Sequence, residues 1–198
     1  MFAGGLATRL GGQNKALLEV GGRTILARIL AALEPLVDER VILTNDDALQ
    51  SLGGVRLVYD PTPHAGVLPA LASGLEAAAG DLCLAVACDM PFVSGDLFGH
   101  LLERQRRTDA DVVIPRTTGF LEPMHAVYRR EAVLRAIRAA LQRGEQRMIS
   151  YFSDVRVEEV AENDWRAVEP AGRAFFNVNT PDDLDQARRL ARAAGEPS

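Results

Sequence analysis

LCLAVACDMPF, residues 82–92, is the stretch that decides how the chain folds. Residues 82–87 are apolar in succession, without the alternation of a strand that keeps one wet face. Such a strand belongs inside a parallel sheet covered on both sides. Asp89 follows directly, and Pro91 fixes the turn after it. A carboxylate at the carboxyl end of a central strand points into the crevice where α/β sheets bind ligands. Asp89 there suits Mg2+, a hard cation that takes few protein carboxylates and fills its shell with phosphate oxygens. Its alternative use is to cap the following turn. Cys88 has no histidine near it in sequence, and a cysteine at a strand end is more often a small buried hydrophobe than a nucleophile.

Outward from this strand, short β-branched runs alternate with helical patterns. RVILT (40–44), VRLVY (55–59), DVVIP (111–115) and MHAVY (124–128) read as strands, and VRVEEV (155–160) alternates like an edge strand. TILARILAALE (24–34) places Ile25, Leu26, Ile29, Leu30 and Leu33 at helical spacing, and Pro35 ends it. A second helix is expected over 68–79, with Gly80 as its cap. A third starts at Ser94 and turns Leu97, Leu101 and Leu102 inward. A fourth covers 130–142, with Gly144 beyond it. The last has Thr180 as N-cap, Pro181 at N1 and Asp183 at N3, with Leu184, Ala187 and Leu190 toward the core. The alternation predicts an α/β fold, a three-layer α/β/α sandwich around a Rossmann-like, mostly parallel sheet. The chain of 198 residues is read as one domain, 1–198, with a fraying tail over 192–198 and mobile loops over 116–123 and 144–154.

AGGLATRLGGQNK, residues 3–15, carries the second signal. Glycines let backbone N–H groups converge on phosphate oxygens without interference from Cβ atoms. Arg9 adds a fork-shaped charge and Lys15 a compact one. The pattern is neither GxxxxGK[ST] nor GxGxxG. A loop of this kind normally follows an anchoring strand, yet only Met1, Phe2 and Ala3 precede Gly4. Either the first strand is very short, or the start codon lies inside the true gene. A lost strand would leave a hole in the sheet beside the ligand site.

FFNVNTPDDL, residues 175–184, is the third. The amides of Asn177 and Asn179 serve a ligand or metal, or else bind local backbone in Asx turns. His64, His100 and His125 are scattered and show no zinc-site spacing. Two cysteines exclude a disulfide scaffold and fit a reducing compartment. A net charge of −5 argues against non-specific nucleic-acid binding. The opening residues lack a signal-peptide pattern, and no run reaches the ~18 apolar residues of a membrane span. A cytoplasmic enzyme without nucleic-acid or membrane partners is expected.

Taken in order, these motifs resemble the molybdenum cofactor guanylyltransferases, the MobA-like nucleotidyltransferases. AGGLATRLGGQNKALLEVGGRTIL is similar to the family opening, CDMPF to its metal-binding strand end, EPMHAVYRREAV (122–133) to its middle segment, and FNVNTPDDL (176–184) to its last motif. The stretch around Arg143, Gly144 and Arg147 is similar to its G-x-R region. The resemblance implies a fold of the nucleotide-diphospho-sugar transferase type. It implies GTP and molybdenum-bearing molybdopterin as substrates, with the guanine dinucleotide cofactor and pyrophosphate as products. Ala3, Gly4, Gly5, Arg9, Gly11, Gly12 and Lys15 would hold the nucleotide phosphates, and Asp60 and Gly66 would lie near the rest of the nucleotide. Arg9, Lys15 and Asp89 would act in catalysis. Asp89 with Asn179 would hold Mg2+, with Asn177 near, and Arg147 of the G-x-R region would be a further site residue. Transient contact with cofactor-insertion proteins and acceptor molybdoenzymes is also implied.

Two further departures stand out. Asn14 replaces the family's acid before the lysine, and GVLPAL (66–71) replaces its GPLAGL loop near the nucleobase. They leave two other readings: a cytidylyltransferase of the same or a related cofactor, and a non-catalytic nucleotide-binding protein on this fold.

Overall fold

The computed structural model describes residues 1–3, 9–10, 12–49, 53–59 and 65–197, with Arg9 through its backbone. In chain order the elements are β1 (Arg9–Leu10), β2 (Gln13–Asn14), β3 (Glu19–Val20), β4 (Arg23–Thr24), α1 (Ile25–Leu33), β5 (Val41–Leu43), β6 (Arg56–Val58), α2 (Val67–Ala77) and β7 (Leu82–Val86). They continue with α3 (Gly95–Thr108), β8 (Val112–Thr117), β9 (Phe120–Leu121), β10 (His125–Arg129), α4 (Arg130–Gln142), β11 (Val157–Val160), α5 (Glu162–Trp165) and α6 (Pro181–Ala193).

The sheet is assembled through the first three residues. Phe2 pairs in parallel with Leu43 on one side and Ala87 on the other. Its amide donates to the Val86 carbonyl at 2.9 Å, and its carbonyl accepts from Cys88 at 3.0 Å. Leu43 N–H donates to Met1 and Ala3 N–H to Leu43, both at 2.9 Å. Segment 1–3 thus stands where a first strand would stand. It joins the parallel pair β5–β6 to the run β7, β10, β8, β11. β11 is parallel to β8, and β10 is antiparallel to both its neighbours. A mostly parallel sheet therefore contains one reversed strand.

Period-two alternation sends neighbouring residues to opposite faces. Val86, Val113, Val127 and Val160 pack with α1, α3, α6 and Trp165. Ala85, Val112, Ile114, Ala126 and Tyr128 pack with α2 and α4. Two apolar faces, each roofed by helices, make the three layers.

Several local expectations change. α2 ends at Ala77 with Ala78 as its cap, so Gly80 is not the terminator. Residues 116–123 do not form an open loop. β8 runs on to Thr117, turns at Gly119 (φ 90°) and returns as β9. Thr117 Oγ1 donates to Glu122 Oε1 at 2.7 Å, and Trp165 Nε1 donates to the Arg116 carbonyl at 3.0 Å, which fastens the hairpin. The last helix carries the full capping box, with Thr180 accepting from Asp183 N–H and Asp183 accepting from Thr180 N–H. Residues 192–197, expected to fray, carry its last turn and a return contact: Glu196 pairs with Arg28.

His125 is the unusual core residue. It is fully buried, stacks on Phe98 with ring centroids 4.4 Å apart, and lies 5.1 Å from Phe175. Neither ring nitrogen has a hydrogen-bond partner among the described residues. Burial pushes its pKa down to about 3. An unfolded histidine titrates near 6.5, so the unfolded state binds the extra proton first and stability falls as pH drops from about 6.5 toward 3. His125→Phe should flatten that decline in thermal melts at successive pH values. An unchanged slope would show that His125 does not remain neutral in the folded state.

Candidate active site

The site grows from the turn that follows the opening loop. β1 and β2 pair antiparallel, Arg9 opposite Asn14 and Leu10 opposite Gln13, with Gly12 between them at φ 87°. Asn14 then caps a 3-10 turn over Lys15–Leu17: its Oδ1 accepts from Ala16 N–H at 3.0 Å. Its Nδ2 donates to Asp46 Oδ2 at 3.1 Å. Asn14 therefore spends both ends of its amide on structure, and the capped turn directs Lys15 inward. Lys15 is only 3% exposed.

A buried ammonium needs partners. Lys15 Nζ donates to Asn179 Oδ1 at 2.7 Å and lies 3.8 Å from Asp89 Oδ2. Both partners are fixed by backbone. Val178 N–H donates to the Asp89 carbonyl at 2.8 Å, and Asn179 N–H donates to Asp183 Oδ2 at 2.9 Å. The α6 cap thus seats Asn179 beside the turn after β7, 164 residues from Lys15 in sequence. The far side of that turn is held by Arg28, whose Nε donates to the Pro91 carbonyl at 2.7 Å while the guanidinium lies 5.2 Å from the Phe92 ring centroid.

Burial pushes the Asp89 carboxyl above the usual carboxylate range, and the Lys15 ammonium pulls it back down. Asp89 Oδ1 is buried and has no hydrogen-bond partner among the described residues. An orphaned carboxylate oxygen beside a lysine is suited to a cation or to a group carried by an anionic ligand. Among the described residues, no group of three or more His, Cys, Asp or Glu could hold a metal by itself. Among the described residues, a metal at Asp89 would have to draw on ligands other than further acids. Cys88 is buried, and burial together with Asp89 pushes its thiol up to about 12. It stays protonated and is no nucleophile.

Lys15, Asp89 and Asn179 come together; the other described candidates fall elsewhere or differ in use. Asn177 Nδ2 donates to the Phe175 carbonyl at 3.1 Å, so its amide serves a local turn. Ala3 is fully buried, and its carbonyl accepts from Thr44 Oγ1 at 3.0 Å. Gly66 precedes α2 at φ 108°, a backbone angle that favours glycine, and leaves the first turn of that helix without a side-chain cap. Arg147 is exposed in the turn after α4 and joins none of these contacts. Gly4, Gly5, Gly11 and Asp60 lie outside the described residues, as does the Arg9 side chain. Thr44 and Asp46 were not singled out from sequence. They follow β5 at its carboxyl end, and the rule that marks Asp89 would have marked Asp46.

This fold, with a lysine and a carboxylate at the sheet's carboxyl edge, is that of a nucleotidyltransferase domain. The chain belongs to the MobA-like NTP transferase domain family, matched over residues 1–159. It is 37% identical over 191 residues to a protein of Pelotomaculum thermopropionicum named as a probable molybdenum cofactor guanylyltransferase, covering 96% of this chain and 91% of that one. Its fold is similar to that of molybdopterin-guanine dinucleotide biosynthesis protein A from Archaeoglobus fulgidus, at a TM-score of 0.78 and 23% identity, over 98% and 100% of the two chains. It is also similar to that of 2-C-methyl-D-erythritol 4-phosphate cytidylyltransferase from Thermus thermophilus, at a TM-score of 0.69 and 24% identity, over 90% and 94%. No helix among the described residues is long and apolar enough to cross a membrane.

The Lys15–Asp89 contact makes a direct electrostatic prediction. Lys15→Met removes the charge that favours the ionised carboxylate, so the Asp89 titration midpoint should rise. Carboxyl 13C chemical shifts followed against pH read this out. A midpoint that stays put or falls would show that the ammonium does not act on Asp89.

Proposed function

We propose that the chain transfers GMP from GTP to the terminal phosphate of molybdenum-bearing molybdopterin, giving the guanine dinucleotide cofactor and pyrophosphate. The carrying observation is the meeting of Lys15, Asp89 and Asn179 at the carboxyl edge of the sheet, together with the identity to the Pelotomaculum protein. In this reading an oxygen of the pterin's terminal phosphate attacks the α-phosphorus of GTP. A new P–O bond forms, the bond from the α-phosphorus to the bridging oxygen breaks, and pyrophosphate leaves with that electron pair. The attacking phosphate is already anionic near neutral pH and needs no strong general base. The protein's work is to hold two anionic groups in line and to stabilise charge as it moves onto pyrophosphate.

Lys15 is assigned to the triphosphate, its ammonium held by Asn179 so that it need not reorganise when charge develops. Arg9 and the glycines at 4, 5, 11 and 12 are assigned to the same phosphates, with Ala3 fixing the base of the loop. Asp60 and Gly66 are assigned to the nucleoside end. Mg2+ is assigned to Asp89 Oδ1 and the nearby Asn179, where it would neutralise phosphate charge; the single protein carboxylate suits a cation that completes its shell with phosphate oxygens and water. Asn177 supports the turn that carries Asn179. The two free cysteines suit a reducing cytoplasm, where hand-over to insertion proteins and acceptor molybdoenzymes would occur.

Pyrophosphate release from purified protein, Mg2+ and loaded pterin with each of the four ribonucleoside triphosphates tests the reading. GTP alone should support release. CTP alone would make the chain a cytidylyltransferase, and no release with any of the four would overturn catalysis. Asp89→Asn should reduce turnover with GTP on the order of 10²-fold, with the folded far-UV spectrum retained; undiminished turnover would remove Asp89 from the site.

A further inference from the structure

One side-chain pair joins the turn that carries Lys15 to the turn after β5. Asn14 is buried, and its Nδ2 donates to Asp46 Oδ2 at 3.1 Å. Backbone takes the outer end of each partner. Asn14 Oδ1 accepts from Ala16 N–H and Asp46 Oδ1 accepts from Ala48 N–H, each at 3.0 Å. Asp46 is also seated from behind. Its N–H donates to Thr44 Oγ1 at 3.1 Å, and that buried hydroxyl donates to the Ala3 carbonyl at 3.0 Å. A relay of bonds therefore runs from Ala3 in the sheet through Thr44, Asp46 and Asn14 to Ala16. Ala16 lies inside the 3-10 turn over Lys15–Leu17, which Leu18 N–H closes by donating to the Lys15 carbonyl at 3.1 Å.

The bonding pattern dictates the chemistry of the pair. Ala16 N–H and Ala48 N–H each take one oxygen, so the contact between the two side chains must set an N–H against an oxygen. One amide and one carboxylate satisfy all three bonds, and they do so either way round. Two carboxylates set oxygen against oxygen with like charge. Two amides, each giving its oxygen to backbone, set N–H against N–H. Asn14 stands where the resembling family has an acid; in this chain the carboxylate sits across one hydrogen bond, on the neighbouring turn.

We propose that Asp46 is a positioning residue for Lys15: it fixes which way the Asn14 amide points, and through that amide it holds the turn that buries the lysine. Without Asp46 the amide has no reason to keep its oxygen on Ala16, and the turn loses its cap. The link to nucleotide binding rests on the assignment of Lys15 to the triphosphate; the seating of the lysine does not.

Lys15 is the only lysine in the chain, so acylation by acetic anhydride, read by peptide mass spectrometry, reports its seating without any ligand. Asn14→Asp should speed acylation of Lys15 about tenfold or more and weaken GTP binding in Mg2+ by about the same factor. Asp46→Asn loses one bond without adding charge and should change each reading about threefold. The exchanged pair, Asn14→Asp together with Asp46→Asn, should return both readings to within about twofold of the unaltered chain. A positioning role also requires the lysine: in a Lys15→Met chain, Asn14→Asp should leave GTP affinity within about twofold. Three results would each overturn the proposal: acylation of the Asn14→Asp chain at the unaltered rate, an exchanged pair no better than Asn14→Asp alone, or a loss of affinity that persists in full without Lys15. If the unaltered chain binds no GTP, that result counts against the function proposed above, and the acylation rates alone decide the role of Asp46.

Discussion

Lys15 is the constraint around which the site is arranged. A charged group buried to this degree is costly unless it is paired and hydrogen-bonded. Here the two partners come from opposite regions of the chain: Asp89 from the turn after β7, and Asn179 from the turn before α6. The α6 capping box, the Val178–Asp89 backbone bond and the Asn14 cap each place one corner of the arrangement. The contact therefore serves fold and chemistry together. It closes the last motif of the chain against the first, and it leaves Asp89 Oδ1 without a protein partner at the centre.

The sheet has a comparable dependence on a few bonds. Segment 1–3 is the seam between β5–β6 and the rest, and Met1, Phe2 and Ala3 hold it through five hydrogen bonds to neighbouring backbone. The opening loop leaves directly from this seam. In the proposed function, the precision of the phosphate-binding end depends on how firmly three residues are seated. Preorganised donors are effective only when their support does not move as charge develops.

Much of this was legible in the sequence, for identifiable reasons. The unalternating run at 82–87 gave away a doubly covered strand, because burial on both faces removes the need for polar positions. TPDD at 180–183 gave away a helix start, because its Pro and capping residues satisfy orphan N–H groups within one turn. Asp89 and Lys15 could each be singled out from local pattern, and Asn179 only as one of a pair with Asn177. Their meeting could not, since nothing local encodes a contact across 164 residues; the family resemblance supplied it. The division of labour between Asn177 and Asn179 was also hidden. The residues are two apart and chemically identical, and only the placement of Phe175 and Lys15 separates a turn-former from a ligand to the ammonium. The reversal of β10 escaped because apolar composition does not record strand direction. Gly80 misled because a glycine after a helix need not adopt the left-handed angle; α2 had already ended at Ala77. Asp46 follows the carboxyl end of β5 as Asp89 follows that of β7, so the same positional rule applies to both.

The central claim is that Lys15 and Asn179 act on the nucleotide as one unit. A double-mutant cycle on GTP affinity in the presence of Mg2+, with Lys15→Met, Asn179→Ala and the pair, measures this directly by calorimetry. Groups in contact within one network couple by roughly 0.5–3 kcal/mol. The account predicts a coupling of about 1 kcal/mol or more, the double variant losing clearly less than the two single losses combined. Additivity within about 0.3 kcal/mol would contradict it.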